Sequence, residues 1–382
     1  MNQRFDQLKE FHRWTKLAQK QTGKSSVTQL QEILALRKLG GRCGISDYYN
    51  CKLYDDDYLK GRGREDFLGW KLHTQFSLAL NPRSAVLPAW DKSVFTVLAG
   101  SAGLPVAPVM ACFHPAAQIS PMLGRHLRSI EDVRTFLRAP DIYPLFGKPV
   151  YSQQSYGSAC LTGYDDQSDS LVLVNGGKVT ISEFSKRLVE SVDSRYHRPE
   201  CGYIFQQSFD LEPSLQAFTQ WSAICGVRVV CLNGPQEVVP IQAMWKVAVA
   251  PNHVDNFSSG LRGNLIANVD LKTGEVSRMV DNYWPDTQVL ESHPVTGALV
   301  RGMRLPDWER ILEICHLGGA LFPLMKIHHW DFALTRQGPL ILELNDIGGI
   351  AQLFGGGLLT EYTREFLKRH ANQKAHPWVK AL

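Results

Sequence analysis

Trp330-Asp331-Phe332-Ala333-Leu334-Thr335 and Pro339-Leu340-Ile341-Leu342-Glu343-Leu344-Asn345 flank the turn Arg336-Gln337-Gly338. Two short apolar runs around such a turn predict an antiparallel hairpin. Alternation puts Glu343 and Asn345 on one face of their strand, and the hairpin can bring Asp331 beside them. Two carboxylates and an amide oxygen at one strand end are hard ligands, the kind that Mg²⁺ with bound phosphates requires. Acids on an exposed strand edge are the other reading. The apolar neighbours Phe332, Leu334, Leu340, Leu342 and Leu344 weaken it, and the pattern alone leaves both open. Neighbouring strand residues point to opposite faces, so His328 and His329 are assigned to packing or substrate rather than to a metal shared with Asp331. Gly355-Gly356-Gly357 reads equally as a loop approaching a ligand or as a flexible turn.

Upstream, Phe146-Gly147-Lys148-Pro149-Val150 ends a strand and runs into Tyr151-Ser152-Gln153-Gln154-Ser155-Tyr156-Gly157-Ser158. A Ser/Gly-rich turn offers N–H groups and hydroxyls to phosphates beside the lysine charge, although a plain hairpin turn fits as well. The glycine spacing is not that of a Walker A loop. Asp91-Lys92 opens a helix that Gly103 ends, before Leu104-Pro105-Val106-Ala107-Pro108. Arg228 stands between Val227 and Val229, either paired with a carboxylate or aimed into a site that its planar fork suits.

The elements around these motifs read as follows. Residues 1–45 form a basic helical extension, with Phe5, Leu8, Phe11, Trp14 and Leu17 recurring every three residues. Thr22-Gly23-Lys24 breaks it, and Ser25 or Ser26 caps a second helix whose Val27, Leu30, Ile33 and Leu34 are expected to pack. Residues 46–130 are a separate amino-terminal domain, with strands over Trp70–Leu80 and Ala85–Leu87 and a helix over Lys92–Ala102. Residues 131–209 read as strands Tyr143–Val150, Ala159–Tyr164 and Ser170–Val174, a helix Ile181–Ser191 and a strand Tyr203–Phe209, a small α+β module of the size of a lid. Residues 210–382 hold strands Ile224–Leu232 and Val238–Val249, a hairpin over Gly263–Met279, a helix Asp307–Leu321, the Asp331/Glu343 hairpin and a final helix Leu359–Arg369.

The chain has 382 residues, 44% hydrophobic and 20% charged, which excludes a disordered chain. No apolar run is long enough to span a bilayer, and Met1–Trp14 lacks the apolar stretch of a secretory signal. Eight scattered cysteines without a C-x-x-C pair read as reduced thiols of a cytoplasmic protein. Residues 1–45 carry nine Lys/Arg against three Asp/Glu, a net of +6, which leaves about −2 for the rest of the +4 chain. A main domain without a basic stripe excludes nucleic acid as the expected partner. The basic segment is read as a solvated helical face in preference to a docking surface for a partner or an acidic leaflet.

In this order the motifs resemble the ATP-grasp superfamily, and more closely its sugar-transfer-associated group, related to α-L-glutamate ligases. Asp91-Lys92 through Pro108 is similar to the helix-to-strand element of D-alanine–D-alanine ligases, Lys148 to the lid lysine, and Tyr203 to Phe209 to the hinge strand that receives adenine. Ile224 to Val230, Val254-Asp255-Asn256-Phe257, Asp270 to Gly274, His293 to Gly297, Leu305 to Trp308 and Asp331 to Asn345 carry the closer likeness, over roughly residues 46–360. The hinge has Gln206-Gln207 where many members have a glutamate, and Cys225-Gly226 stands where Asn-Thr is usual.

The resemblance implies an α/β (α+β) ATP-grasp fold, with nucleotide between the lid and a carboxy-terminal antiparallel sheet. It implies ATP and two Mg²⁺ ions, the metal on Asp331, Glu343 and Asn345. Lys92, Lys148, Ser155, Gly157, Gln206, Gln207, Ser208, Phe209 and Glu212 would contact nucleotide, adenine meeting the backbone of Ser208 and Phe209. Lys148 and Arg228 would be catalytic, Arg228 on the transferring phosphoryl group. The implied reaction joins a carboxylate to an amine (or thiol) through an acyl phosphate with release of ADP, in polysaccharide, glycoconjugate or related biosynthesis. A sugar or polyol phosphotransferase and a non-catalytic nucleotide-binding scaffold are the alternatives. The partners implied are the small acid and amine, with a homodimer or a sugar-transfer pathway protein beyond them.

Overall fold

A computed structural model describes residues 2–153, 155–190, 199–349, 352 and 356–382, without the side chains of residues 2–8 and 259. Gln154, Ser191 and Gly355, and the side chains of Phe5 and Leu8, lie outside the described residues. Two seven-stranded sheets organise what is described. The first comprises β1 (Val109–Phe113), β2 (Arg125–Leu127), β3 (Leu145–Pro149), β4 (Ala159–Asp165), β5 (Ser170–Leu173), β6 (Lys178–Thr180) and β7 (Tyr203–Gln207), in the spatial order β2-β1-β7-β3-β4-β5-β6. β1 and β2 run parallel, and the other pairs are antiparallel. The sheet that carries Lys148 thus begins at Val109, upstream of the lid as read from sequence.

The second sheet comprises β8 (Gly226–Asn233), β9 (Val238–Val247), β10 (Leu265–Val269), β11 (Val276–Val280), β12 (Val289–Leu290), β13 (Ile327–Thr335) and β14 (Gly338–Asn345), in the order β12-β11-β10-β9-β8-β13-β14 and antiparallel throughout. β8 and β9 are joined at Asn233-Gly234-Pro235, and β13 and β14 pair as the expected hairpin, with a β-bulge between Asp331 and Phe332 that regular alternation does not predict. One face packs on the helix Trp308–Leu321 through Trp330, Phe332, Val229 and Trp245. Full burial of a side chain such as Phe332 contributes roughly 2–3 kcal/mol. The other face divides along its length. Val230, Leu232 and Ile327 pack against the helices Trp70–Leu80 and Glu361–His370. Arg228, two residues before Val230, is left to face the first sheet.

Two expected strands are helical instead. Trp70–Leu80 is an α-helix, and Ala85–Leu87 falls in the helical turns Arg83–Ala85 and Leu87–Trp90. The even positions Trp70, Leu72, Phe76, Leu78 and Leu80 mimic a period of two. Burial follows Leu72, Phe76, Ala79 and Leu80, a helical spacing fixed by packing on Leu367 and Trp378. The helix Lys92–Ser101 forms as expected, with Asp91 capping Ser93 and Val94 and Gly103 left-handed behind it. The amino-terminal helices span Asn2–Thr22 and Ser26–Leu36, the second capped by Ser25. Ile33 of that helix is buried, but Val27, Leu30 and Leu34 are exposed rather than packed.

Candidate active site

The register across three strands builds the site. Arg228 on β8 lies directly opposite Asp331 on β13, and Asp331 directly opposite Glu343 on β14. All three therefore share one face. Arg228 forks onto Asp331, with Nε to Oδ1 at 2.7 Å and Nη2 to Oδ2 at 2.6 Å, and the Asp331 side chain is only 4% exposed. Both alternatives for Arg228 hold at once, since it is paired with a carboxylate inside a cleft. Asn345 donates Nδ2 towards Asp331 Oδ2 at 3.4 Å and to Glu343 Oε1 at 3.1 Å, so the three head groups converge at the strand end. This settles the exposed-edge reading against Asp331.

Lysines arrive from three directions. Lys148, on β3 of the opposite sheet, crosses the cleft to donate to the Leu342 carbonyl at 3.0 Å. Lys92, in the first turn of its capped helix, donates to the Ser152 carbonyl at 2.8 Å and lies 3.9 Å from Glu343 Oε2. Lys246, on β9, lies 3.6 Å from both Asp331 Oδ2 and Asp255 Oδ2. Asp255 also accepts the Gly226 N–H at 2.7 Å, an approach open because a Cβ on Gly226 would stand 2.6 Å from that same oxygen. The Cys225-Gly226 departure thus has a structural counterpart.

Sequence reading assigned no role to Lys246 or Asp255. The signal for Lys246 was present, because it sits between Trp245 and Val247 as Arg228 sits between valines. Asp255 is a loop residue with no periodicity to expose it.

Charge states follow from these neighbours. Burial acts to raise the Asp331 pKa, but Arg228 and Lys246 outweigh it and hold the carboxyl well below the usual range. Burial likewise works against the charges of Arg228 and Lys246. For Arg228 the Asp331 carboxylate overcomes it, and for Lys246 Asp255 and then Asp331 do, so both stay firmly protonated. Lys92 is lowered by burial against Glu343 and Asp91. Burial pushes Lys148 down to about 8, with Glu343 opposing and Lys92 reinforcing. His328 and His329 are pushed by burial to about 4 and about 3, which suits neutral packing rings. The His329 ring fills the space where a Cβ on Gly348 would be, 2.4 Å from Nδ1.

The cleft between the sheets holds about 530 Å³ and is lined by Lys92, Lys148, Ser155, Arg228, Lys246, Asp331, Glu343 and Asn345, and by Gln206, Gln207, Ser208 and Phe209 at the hinge. Two expected contact residues lie outside that lining. Gly157 offers its carbonyl to the Tyr203 hydroxyl, and Glu212 caps the helix Pro213–Thr219 at Ser214 and Leu215. At the hinge, the Gln206 amide donates to the Ala107 carbonyl and the Ser208 N–H to the Pro144 carbonyl. Phe209 keeps its N–H without a backbone acceptor among the described residues.

No group of three His, Cys, Asp or Glu side chains with metal-ligand geometry occurs among the described residues. Asp331, Glu343 and Asn345 nevertheless carry the hard-oxygen chemistry that fits Mg²⁺, with both Asp331 oxygens held by Arg228 and Asn345 turning its Nδ2 to the two acids. Two sheets that close from opposite sides on a cleft lined by charges of both signs make the ATP-grasp fold.

A family model described as sugar-transfer associated ATP-grasp matches residues 71–366, and the chain belongs to that family. Comparison with curated proteins gives no match. Among solved structures, the chain is similar to the L-amino acid ligase of Bacillus licheniformis, at 12% identity over 70% of this chain and 43% of that one (TM-score 0.35). It is similar to the VanG D-Ala:D-Ser ligase of Enterococcus faecalis, at 13% identity over 76% and 63% (TM-score 0.41). It is also similar to a biotin carboxylase of Campylobacter jejuni, at 9% identity over 76% and 48% (TM-score 0.45). The chain spans only 43–63% of the length of these proteins, and similarity at this level concerns the fold alone. No helix among the described residues is long and apolar enough to cross a membrane.

Proposed function

We propose that the protein is an ATP-dependent carboxylate–amine (or carboxylate–thiol) ligase that forms ADP through an acyl phosphate. The observation that carries this reading is the gathering of Lys92, Lys148, Arg228 and Lys246 around Asp331, Glu343 and Asn345 in one cleft. Arg228 and Lys246 are already paired with carboxylates, but burial disfavours the charges of Lys92 and Lys148, and a triphosphate would compensate those two. Bound Mg²⁺, held by Asp331, Glu343 and Asn345, would offset phosphate charge.

Lys92 and Lys148 neutralise phosphate oxygens in the bound nucleotide. A substrate carboxylate oxygen attacks the γ-phosphorus, the bond to the β-phosphate oxygen breaks, and ADP leaves. Arg228 and Lys246 face the transferring group, where their charge stabilises the developing negative oxygens. The amine nitrogen then attacks the acyl carbon, the carbon–oxygen bond to phosphate breaks, orthophosphate departs and the nitrogen loses a proton. Closure of the two sheets keeps water from the acyl phosphate. No nucleophilic side chain is required. The family description supports a place in polysaccharide or glycoconjugate biosynthesis.

A matrix of acids and amines, assayed for ADP, phosphate and amide, tests the reading. ADP with a stable phosphorylated sugar and no amide would make the protein a phosphotransferase. Nucleotide binding without any turnover would make it a scaffold. ATP is expected to bind more tightly than GTP, because the hinge presents the Phe209 N–H to the base. Equal affinities by calorimetry would remove that pose.

Lys148 gives a pH signature. Its ammonium is disfavoured in the folded protein, so folding carries a penalty that is complete below about pH 8 and disappears between about 8 and the ordinary 10.5. A triphosphate favours the ammonium, so nucleotide binding takes up a proton above pH 8. Affinity for Mg²⁺-ATP is expected to fall there by up to about tenfold per pH unit, and Lys148→Met to weaken binding at neutral pH and flatten the profile. Superimposable wild-type and variant profiles would take Lys148 off the phosphates.

Lys246→Met separates binding from turnover. Arg228 still compensates Asp331 in that variant, so the fold should hold. Turnover is expected to drop about 10²-fold with nucleotide affinity little changed. Measured losses of equal size in both would assign Lys246 to ground-state nucleotide instead.

A further inference from the structure

The cleft leaves the two amino-terminal helices without a role. Asn2–Thr22 and Ser26–Leu36 rest side by side on one aromatic layer. Thr15 Oγ1 lies 3.0 Å from the Tyr49 hydroxyl, which donates to Gln29 Oε1 at 2.9 Å, and Trp14 packs on Tyr49 and Trp284. Ala18, Ile33 and Leu36 complete the contact, so each helix turns its opposite face outward.

Those outward faces differ in chemistry. At 100° per residue, Lys9, Arg13, Lys16 and Lys20 fall in one narrow arc, opposite Ala18, over a length of about 16 Å. All four are exposed, and none pairs with a carboxylate among the described residues. On the second helix, Val27 (66% exposed), Leu30 (44%) and Leu34 (50%) form the outward arc, opposite Gln29, Ile33 and Leu36. Exposed Arg37 and Lys38 follow directly.

Scattered exposed aliphatics are ordinary, but three on one helix beside that unpaired basic stripe form a two-part surface. A second copy of this chain would bring another +6 segment against the first. A surface that is both anionic and apolar just beneath satisfies both stripes. We propose that this helical pair docks the protein on an anionic lipid leaflet, with the Val27/Leu30/Leu34 stripe in the headgroup–acyl boundary and the Lys9/Arg13/Lys16/Lys20 stripe on lipid phosphates. The helices lie in the interface and do not span it.

The test is sedimentation of the full chain with vesicles of phosphatidylcholine, alone or mixed with phosphatidylglycerol. Binding to the mixed vesicles is expected to exceed binding to the neutral ones by about tenfold or more, and to weaken with salt. Leu30→Glu/Leu34→Glu and Lys9→Glu/Arg13→Glu/Lys16→Glu/Lys20→Glu should each abolish that excess while the fold, checked by circular dichroism and thermal unfolding, persists. These residues lie outside the cleft, so ATP-dependent turnover should be unchanged in both variants, whatever reaction the cleft performs. Equal binding to the two vesicle types, or binding that survives either set of substitutions, overturns the proposal. A dimer in analytical ultracentrifugation that Leu30→Glu/Leu34→Glu dissolves overturns it in favour of self-association.

Discussion

Arg228→Ala is expected to lower ATP-dependent turnover about 10³-fold, the upper end of the loss seen when a preorganised electrostatic donor is removed. It should also be less stable. Asp331 is buried and loses both hydrogen bonds of a bidentate pair, a change that costs about 3 kcal/mol where another cation remains nearby. Lys246, 3.6 Å from the same carboxylate, is that cation. The two effects separate with Arg228→Met/Asp331→Asn, which removes both charges together. Thermal stability should largely return in the double variant, and turnover should not. If restored stability brought back ADP release, the pair would be a structural strut and Arg228 would have no part in phosphoryl transfer. Arg228→Lys, which keeps the charge but not the fork, should fall between wild type and alanine.

Glu343→Gln is expected to reduce turnover about 10²-fold or more, and the loss should not be recovered by excess Mg²⁺. The substitution keeps shape and removes one negative charge from the strand end where Asn345 and Asp331 converge. Glu343 is a third exposed, so the fold should persist. Lys92 stands 3.9 Å away, and Glu343 also supports the charge of Lys148, so the glutamine leaves two buried lysines less compensated. A slight loss of thermal stability is the expected sign, in place of a neutral or favourable one. Unfolding without nucleotide, followed by ADP release at saturating Mg²⁺, measures both. Wild-type ADP release from a folded variant would end the assignment of this strand end to catalysis.

Much of this site was legible because a β-hairpin turns sequence spacing into geometry. Alternation placed Glu343 and Asn345 on one face and the hairpin brought Asp331 near them, but the direct pairing of Asp331 with Glu343 comes from a β-bulge between Asp331 and Phe332 that no spacing announced. Arg228 was conspicuous because an arginine between valines has few reasons to be there. Lys246 obeyed the same rule and received no role, and Asp255, although part of the stretch Val254-Asp255-Asn256-Phe257 that carries the family likeness, received none because a loop has no period to say where its side chain points. Trp70–Leu80 fits a strand and a helix equally well as a string, and only its packing on Leu367 and Trp378 decides. The backbone bond from Ser208 to Pro144 is likewise invisible in a list of residues, since every residue but proline carries the same donor.

The row Arg228–Asp331–Glu343 depends on counting. Thr335 pairs with Gly338 at the closed end of the hairpin, the Thr335 hydroxyl holds the Gly338 carbonyl at 2.7 Å, and Gly338 takes φ +102°, where a side chain is strained. From there to Asp331 is four residues, about 13 Å of strand. A regular ladder counted from there would set Asp331 opposite Leu342, and the register shift between Asp331 and Phe332 adds the residue that puts Glu343 there instead. Loss of that bulge, or one residue gained or lost in the turn, would rotate Glu343 to the helix-packed face. Turn and bulge together are therefore a ruler for the chemistry. A chain with every charged residue intact can still be inert, and damage at Arg336-Gln337-Gly338 would read in an assay like the loss of an acid.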